Sequence, residues 1–202
     1  MSRKLYATLL PLIAAVAFLG TAAAAQAAPH FYKEGTRLPF TEAKTQIVTW
    51  GKLKLTASNG VVIECKVIDA GNVWNTTLAA TGKDNLEVFQ NYECASAECS
   101  SVTIATEKLP YETELTEAVS GTIRDAVKVK ELVVTCSGTA IAFTGTLEPK
   151  VVNGTSKTAP TNLEFGAGSG TLTGPGGLTA TVEGKDKVLG FVEQELITAK
   201  NP

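Results

Sequence analysis

The chain has 202 residues, of which 18 are lysine or arginine, 20 are aspartate or glutamate and one is histidine, for a formal net charge of −2. The basic residues are scattered and form no run, so the composition argues against a nucleic-acid-binding protein. The length is typical of a single domain.

The first 27 residues predict a cleaved signal peptide. Arg3 and Lys4 provide a basic start, residues 9–19 are apolar, and residues 25–27 fit a small-x-small cleavage site. Cleavage there leaves residues 28–202 as a single disulfide-bearing β domain with 16 basic and 20 acidic residues, a net charge of −4. Because the C-terminus has no apolar tail, we expect this domain to be secreted and free of the membrane.

Residues 47–67 predict a β-hairpin around a Ser-Asn-Gly turn. A three-residue loop sets Leu53 opposite Cys65 and gathers the apolar residues on one face, whereas a two-residue loop mixes apolar and charged faces. We therefore predict the three-residue loop, with Gly60 in the left-handed conformation.

The middle of the chain gives weaker signals. Residues 69–84 are turn-rich, residues 86–94 alternate as a strand does, and a further strand restarts at Val102. The acidic segment 109–121 predicts either one helical turn or an irregular crossing.

Residues 132–147 are the densest β-forming run and predict a hairpin at the centre of the domain. A loop at residues 137–139 would set Cys136 opposite Ala140. Both faces of this hairpin are apolar, which is typical of strands inside a sheet. A one-residue slip of the apolar pattern at residues 130–131 predicts a β-bulge or a strand end.

The last third is rich in glycine and in short apolar runs separated by turn signals. Over the whole mature chain we count about nine to eleven short strands. This pattern predicts an all-β fold, an antiparallel β-sandwich or barrel with little helix.

Four cysteines, Cys65, Cys94, Cys99 and Cys136, predict two disulfides in an exported chain. Three pairings are possible. The short polar segment between Cys94 and Cys99 favours a bridge that closes it, which leaves Cys65 to pair with Cys136 between two apolar strands. We predict this pairing.

Few residues are candidates for chemistry. His30, the single histidine, lies close to the predicted mature N-terminus, where chains are usually loose, and this argues against a catalytic triad or a histidine zinc site. We therefore predict no catalytic residues, no cofactor and no bound metal.

Two glutamate pairs leave an enzymatic alternative open. Glu112 with Glu114, and Glu193 with Glu195, would each share one face of a strand. Two carboxyl groups a few ångströms apart can hydrolyse a glycosidic bond. The other interpretation is that both pairs are solvated acidic faces.

Several short phrases resemble a group of uncharacterised exported proteins of soil actinobacteria of the Solirubrobacter kind. The resemblance implies a bacterial secreted protein and brings no activity, cofactor or site residue with it. The phrases are His30-Phe31-Tyr32-Lys33, Trp50-Gly51-Lys52-Leu53-Lys54-Leu55, Gly71-Asn72-Val73-Trp74-Asn75, Tyr92-Glu93-Cys94, Gly121-Thr122-Ile123-Arg124-Asp125 and Glu193-Gln194-Glu195-Leu196-Ile197.

Two functions are consistent with these patterns. The first is a secreted, non-catalytic β domain of the extracellular matrix or envelope, or one that binds an extracellular glycan or protein. The second is a secreted carbohydrate-active hydrolase that uses a glutamate pair, with exposed Trp50 and Trp74 stacking on sugar rings. Tryptophans in a groove with a glutamate pair would favour the second, and tryptophans buried apart would favour the first.

Overall fold

The computed structural model describes residues 28–41, 43–117 and 120–202. The predicted signal peptide lies outside the described residues. Apart from one short 3-10 helix, Pro175–Gly177, the regular structure described is β-strand, which confirms the all-β class. The strands are β1 (His30–Lys33), β2 (Thr36–Arg37), β3 (Thr45–Ala57), β4 (Val62–Trp74), β5 (Lys83–Ala95), β6 (Val102–Thr106), β7 (Tyr111–Glu117), β8 (Ile123–Cys136), β9 (Thr139–Leu147), β10 (Lys150–Val152), β11 (Thr161–Phe165), β12 (Leu172–Thr173), β13 (Thr179–Gly190) and β14 (Ile197–Lys200).

Eight strands close into an antiparallel barrel in the order β3-β4-β5-β7-β8-β10-β11-β13. The ring closes where β13 pairs with β3 along almost its whole length and where β10 meets β8 at Lys150 opposite Arg124. The architecture is therefore a barrel rather than a sandwich. Along each strand, side chains point alternately into the barrel and away from it.

Strand β8 extends through both halves of the barrel. Its first part pairs with β7 and β10 in what we call the lower half. Its second part pairs with β6 and β9 in the upper half, and β12 connects β9 to β13. The predicted bulge is confirmed, because the register shifts between Val129 and Leu132.

The first predicted hairpin, β3–β4, is confirmed. Leu53 lies opposite Cys65, and Gly60 has a φ of 93°. The alternation of apolar and charged residues determines this register, since a shift by one residue would turn the apolar side chains outward.

The predicted register of the second hairpin, β8–β9, is wrong by one residue. Cys136 lies opposite Thr139 rather than Ala140. The loop contains two residues, Ser137 and Gly138, with φ of 49° and 84°. Both central residues of a tight two-residue turn need positive φ, and Ser137 adopts that conformation although serine rarely does.

The acidic segment after residue 109 is a strand, β7, and neither a helical turn nor an irregular crossing. Its inward residues Tyr111, Thr113 and Leu115 are buried, while Glu112 faces outward and is exposed. The alternation was present in the sequence, but glutamates are uncommon in strands and concealed it.

The predicted disulfide pairing is also wrong, although all four cysteines are in disulfides. Cys65 on β4 is bonded to Cys94 on β5, with Cα atoms 4.1 Å apart, and Cys99 is bonded to Cys136 on β8, with Cα atoms 5.1 Å apart. The segment after Cys94 does not close on itself, because it crosses from β5 to β6, and Cys99 is therefore carried to the strand beside β6.

The two disulfides bracket a seam in the upper half of the barrel. In the part of the chain that the structure describes, β5 and β6 share no backbone ladder. A side-chain bond connects them, from Asn91 Nδ2 to the carbonyl of Ile104 at 2.7 Å. Covalent bonds from β5 to β4 and from the β5–β6 loop to β8 therefore hold the barrel where the ladder is interrupted.

A small sheet of order β14-β1-β2 covers the lower end of the barrel. Asn153 holds β14 in place, accepting from the Ala199 amide at 2.8 Å and donating to the Ala199 carbonyl at 2.6 Å. His30, in β1, is fully buried, with Nε2 3.0 Å from the Thr77 carbonyl oxygen. The expectation of a loosely held histidine is therefore wrong.

The apolar core has two parts. The upper cluster comprises Leu55, Ala57, Ile63, Cys65, Val67, Cys99, Tyr111, Val129, Val134, Phe143, Leu147, Leu172, Ala180 and Val182. The lower cluster comprises Phe31, Leu38, Ile47, Val73, Leu115, Val188, Ile197 and Ala199.

Candidate functional site

The four aspartates of the sequence all lie inside the barrel. Asp69, Asp84, Asp125 and Asp186 are 7%, 7%, 4% and 2% exposed. They lie on four different strands, β4, β5, β8 and β13. Charged residues are rarely buried without a partner, so this group is the most unusual feature of the interior.

The aspartates form a polar layer between the two apolar clusters. On β13, Asp186 lies between Val182 of the upper cluster and Val188 of the lower cluster. Thr49 and Thr113 are buried opposite Asp69 and Asp84, and the buried Thr161 and Thr198 line the same cavity.

Asp69 and Asp186 flank β3 from its two sides. Asp69 lies opposite Thr49, whose hydroxyl donates to Asp69 Oδ2 at 3.1 Å. Asp186 lies opposite Gly51. A Cβ at Gly51 would lie 2.3 Å from Asp186 Oδ1, so the glycine provides the space that this carboxyl group occupies.

Asp84 and Asp125 flank β7 in the same way. Asp84 lies opposite Thr113 and Asp125 opposite Leu115, both inward residues of β7. Burial raises the pKa of both carboxyl groups, and the adjacent Asp125 raises that of Asp84 further. One proton shared between two acids avoids two adjacent buried negative charges.

Burial raises the pKa of all four aspartates. It raises the pKa of Asp186 to about 7 and, together with the nearby charge of Asp186, the pKa of Asp69 to about 8. The pKa values of Asp84 and Asp125 also rise, chiefly through burial. The layer therefore holds protons near neutral pH, where exposed aspartates are ionised.

At least one oxygen of each aspartate is buried without a hydrogen-bond partner. These atoms are Oδ1 of Asp69, Asp84, Asp125 and Asp186. Every ion pair found among the described residues joins a lysine to a glutamate, so none neutralises an aspartate. A buried acceptor without a donor costs about 1–3 kcal/mol, and a guest that supplies donors would recover that free energy.

The unpartnered oxygens belong to residues that line a cavity of about 160 Å³ in the barrel. Its walls are mainly apolar and include Leu53, Leu86, Tyr111, Val129 and Val182. An apolar cavity of roughly 150 Å³ admits benzene in an engineered protein. The site can therefore hold a small molecule with an apolar body and one or two polar groups.

A groove of about 460 Å³ lies on the seam between β5 and β6. Phe89 lines both this groove and the barrel cavity. The side chain of Phe89 is half-buried, and it lies where the strands are joined by the Asn91 side chain instead of a ladder. Phe89 therefore lies between the outer groove and the cavity of the barrel.

The glutamate pairs lie outside the barrel cavity. Glu112 and Glu114 face outward from β7, and Glu114 forms ion pairs with Lys83 and Lys128. Residues 191–196 form the turn between β13 and β14, so Glu193 and Glu195 do not share a strand face as predicted. Glu195 forms an ion pair with Lys33 at 3.2 Å.

The two tryptophans are separated on the outer face of the barrel. Trp50 is half-buried and lies opposite Ile68 on β4. Trp74 lies six residues further along β4, about 20 Å away at strand spacing, and carries the Lys44 ammonium 4.7 Å from its ring. They are neither in the core nor together in one groove.

The four buried aspartates were not predicted from the sequence, although a signal was present. Asp69 has the same parity as Ile63, Cys65 and Val67, the inward residues of β4. Asp186 likewise has the parity of the buried Val182 and Val188 on β13. An acidic residue at an apolar position of an alternating strand marks an interior charge.

Comparison of the chain with protein-family models, curated proteins and solved structures finds no match. Within residues 28–41, 43–117 and 120–202, no helix has the length and apolar character needed to cross a membrane. The same residues contain no group of three or more His, Cys, Asp or Glu side chains arranged to hold a metal ion.

Proposed function

We propose that the protein is exported and acts outside the cell as a non-catalytic binding protein that holds a small molecule inside its barrel. The observation that carries this proposal is the apolar cavity of about 160 Å³ lined by four buried aspartates. A well-formed apolar pocket with a few converging polar groups is the usual form of a ligand site.

Export is supported by the predicted signal sequence, by the resemblance to exported actinobacterial proteins and by the two disulfides. Disulfides form and persist in non-reducing compartments, and both bridges clamp the seam beside the cavity. N-terminal sequencing of secreted protein should return Ala28 or Pro29. A sequence that begins at Met1 would contradict export with cleavage.

Ligand binding is tested by methyl NMR of residues 28–202 titrated with benzyl alcohol, an uncharged probe of suitable size. We expect saturable shifts at the methyl groups of Leu53, Val129 and Val182, which line the cavity. Val182→Phe fills the cavity and should abolish these shifts.

Ile68→Phe is the matched control, because Ile68 is 43% exposed on the outer face of the barrel and its replacement leaves the cavity unchanged. Circular dichroism of both variants verifies the fold. Shifts that never saturate, or that persist in Val182→Phe, would contradict binding inside the barrel.

A further inference from the structure

We propose that the ligand of the barrel is a compact primary amine, whose ammonium group binds between Asp69 and Asp186 and whose apolar body occupies the rest of the cavity. The inference rests on the proposed function and adds the chemical class of the ligand. It depends on the unpartnered carboxyl oxygens and on the shape and lining of the cavity.

The hydrogen-bonding groups of the site fit an ammonium. Oδ1 of Asp69 and Oδ1 of Asp186 are buried acceptors without donors, and both residues line the cavity. An ammonium group has three N–H donors and no acceptor. It therefore complements carboxylate oxygens that lack donors.

The charge of the site also fits a cation. Among the described residues no lysine or arginine forms an ion pair with these two aspartates, since the ion pairs found all use glutamate. A cation from outside would be the partner that the chain itself does not provide. The raised pKa values of Asp69 and Asp186 agree with this, because they reflect burial without a cation.

The geometry of the site fits an amine better than a metal ion. The acids are arranged in two pairs, one flanking β3 and one flanking β7. Calcium needs six to eight oxygen ligands, whereas an ammonium is satisfied by three acceptors. Thr49, which donates to Asp69 Oδ2, holds that carboxyl group so that Oδ1 remains free.

The apolar walls limit the body of the ligand. A volume of about 160 Å³ is close to that of a cavity which holds benzene, so a body of about six carbon atoms fits. Benzylamine meets these conditions, and benzyl alcohol is its uncharged counterpart of equal size.

Binding of the amine should release one proton from the protein. The ammonium enters with its three protons, and a carboxylic acid of the Asp69–Asp186 pair releases its own proton to the solvent, which leaves a carboxylate beside the cation. Proton release is a signature that a purely apolar ligand would not give.

The test is isothermal titration calorimetry of residues 28–202 with benzylamine and with benzyl alcohol, each in phosphate and in HEPES buffer at pH 7, since neither buffer contains a primary amine. We expect benzylamine to bind at least tenfold more tightly than benzyl alcohol, and its enthalpy alone to depend on the buffer through proton release.

Asp186→Asn keeps the shape of the side chain and should reduce benzylamine affinity at least tenfold while leaving benzyl alcohol unchanged. Glu183→Gln is the matched control on the outer face of the same strand and should change neither. Near-ultraviolet circular dichroism verifies that both variants fold.

The remaining outcomes decide between the two proposals. Equal binding of both compounds overturns the amine inference and leaves the barrel as a site for an uncharged ligand. Binding of neither compound overturns the proposed function as well. Displacement of benzylamine by calcium or potassium chloride, at constant ionic strength, would show that the site takes an inorganic cation and would also overturn the inference.

Discussion

Unlike the glutamates on the outer surface, the four aspartates inside the barrel form no ion pair within the part of the chain that the structure describes, and they have little contact with water. Glu64, Glu114 and Glu183 form ion pairs with lysines on neighbouring strands, and no glutamate among the described residues is buried. The shorter aspartate side chain fits between the walls of the barrel, whereas glutamate extends from its outer face.

The two environments shift the pKa of a carboxyl group in opposite directions. Burial raises the pKa of the interior aspartates, whereas a hydrogen bond from Lys83 lowers the pKa of Glu114. Interior acids therefore favour folding when protonated, and surface acids favour it when ionised. The interior aspartates have oxygens without hydrogen-bond donors, whereas Glu64, Glu114 and Glu183 on the surface are paired with lysines.

The largest expected effect is a loss of stability as the pH rises. Asp69 and Asp186 have folded pKa values of about 8 and about 7, above the unfolded value of about 3.9. Their contribution is fully present below about pH 4 and is lost as the pH rises through the folded values. Because the folded state keeps two protons that the unfolded state has lost, the free energy of unfolding should fall by about 5 kcal/mol over two pH units.

Urea unfolding at pH 5 and pH 7 measures this dependence. The double variant Asp69→Asn with Asp186→Asn should remove the part that these two residues contribute, because amides do not titrate, whereas Asp84 and Asp125 keep theirs. Stability that rises between pH 5 and pH 7 would show that the interior acids are ionised in the folded protein.

The second prediction concerns the two disulfides beside the seam between β5 and β6. Cys65–Cys94 and Cys99–Cys136 span 29 and 37 residues, and chain entropy gives each a stabilisation of about 4 kcal/mol. Cys99→Ser and Cys136→Ser should therefore lower the melting temperature by similar amounts. A much smaller effect of Cys99→Ser would contradict the pairing, which non-reducing peptide mapping tests directly.

The third prediction concerns the space that Gly51 provides. A Cβ there would lie 1.9 Å from the Lys185 carbonyl oxygen and 2.3 Å from Asp186 Oδ1. Gly51→Ala should destabilise the protein by about 3 kcal/mol, because β3 and β13 must separate. Gly166→Ala, where a Cβ meets nothing within 4 Å, is the control and should change stability little in chemical denaturation.

Gly51 also illustrates what could be predicted from the sequence. The hairpin around Gly60 was predicted because its register follows from local alternation. The function of Gly51 depends on β13, which is more than a hundred residues away and meets β3 only when the barrel closes. Periodicity within a segment cannot identify such a partner.

The aspartate layer was missed for a related reason. Asp69 and Gly71 were interpreted as the start of a turn-rich segment, yet β4 continues through both to Trp74. A Cβ at Gly71 would lie 1.8 Å from the Asn85 carbonyl oxygen, so this glycine permits close contact between strands. The disulfide pairing likewise depends on how β5 and β6 cross, which is not a local property.

The smallest expected change in stability comes from replacing a surface glutamate, and it can be compared directly with the effect of the interior aspartates. Glu114 faces outward from β7, the strand that Asp84 and Asp125 flank on the inside. Its ion pair with Lys83 is partly exposed, so Glu114→Gln should cost a few tenths of a kcal/mol at pH 7. Because its pKa is lowered in the folded state, this contribution is present above the unfolded pKa of about 4.3 and is lost as the pH falls through the folded value.

Urea unfolding of Glu114→Gln at pH 7 in low and high salt measures the contribution of this ion pair. A loss as large as that of the aspartates, or one that is insensitive to salt, would show that the outer acids are not screened by water and would remove the distinction between the two faces of the barrel.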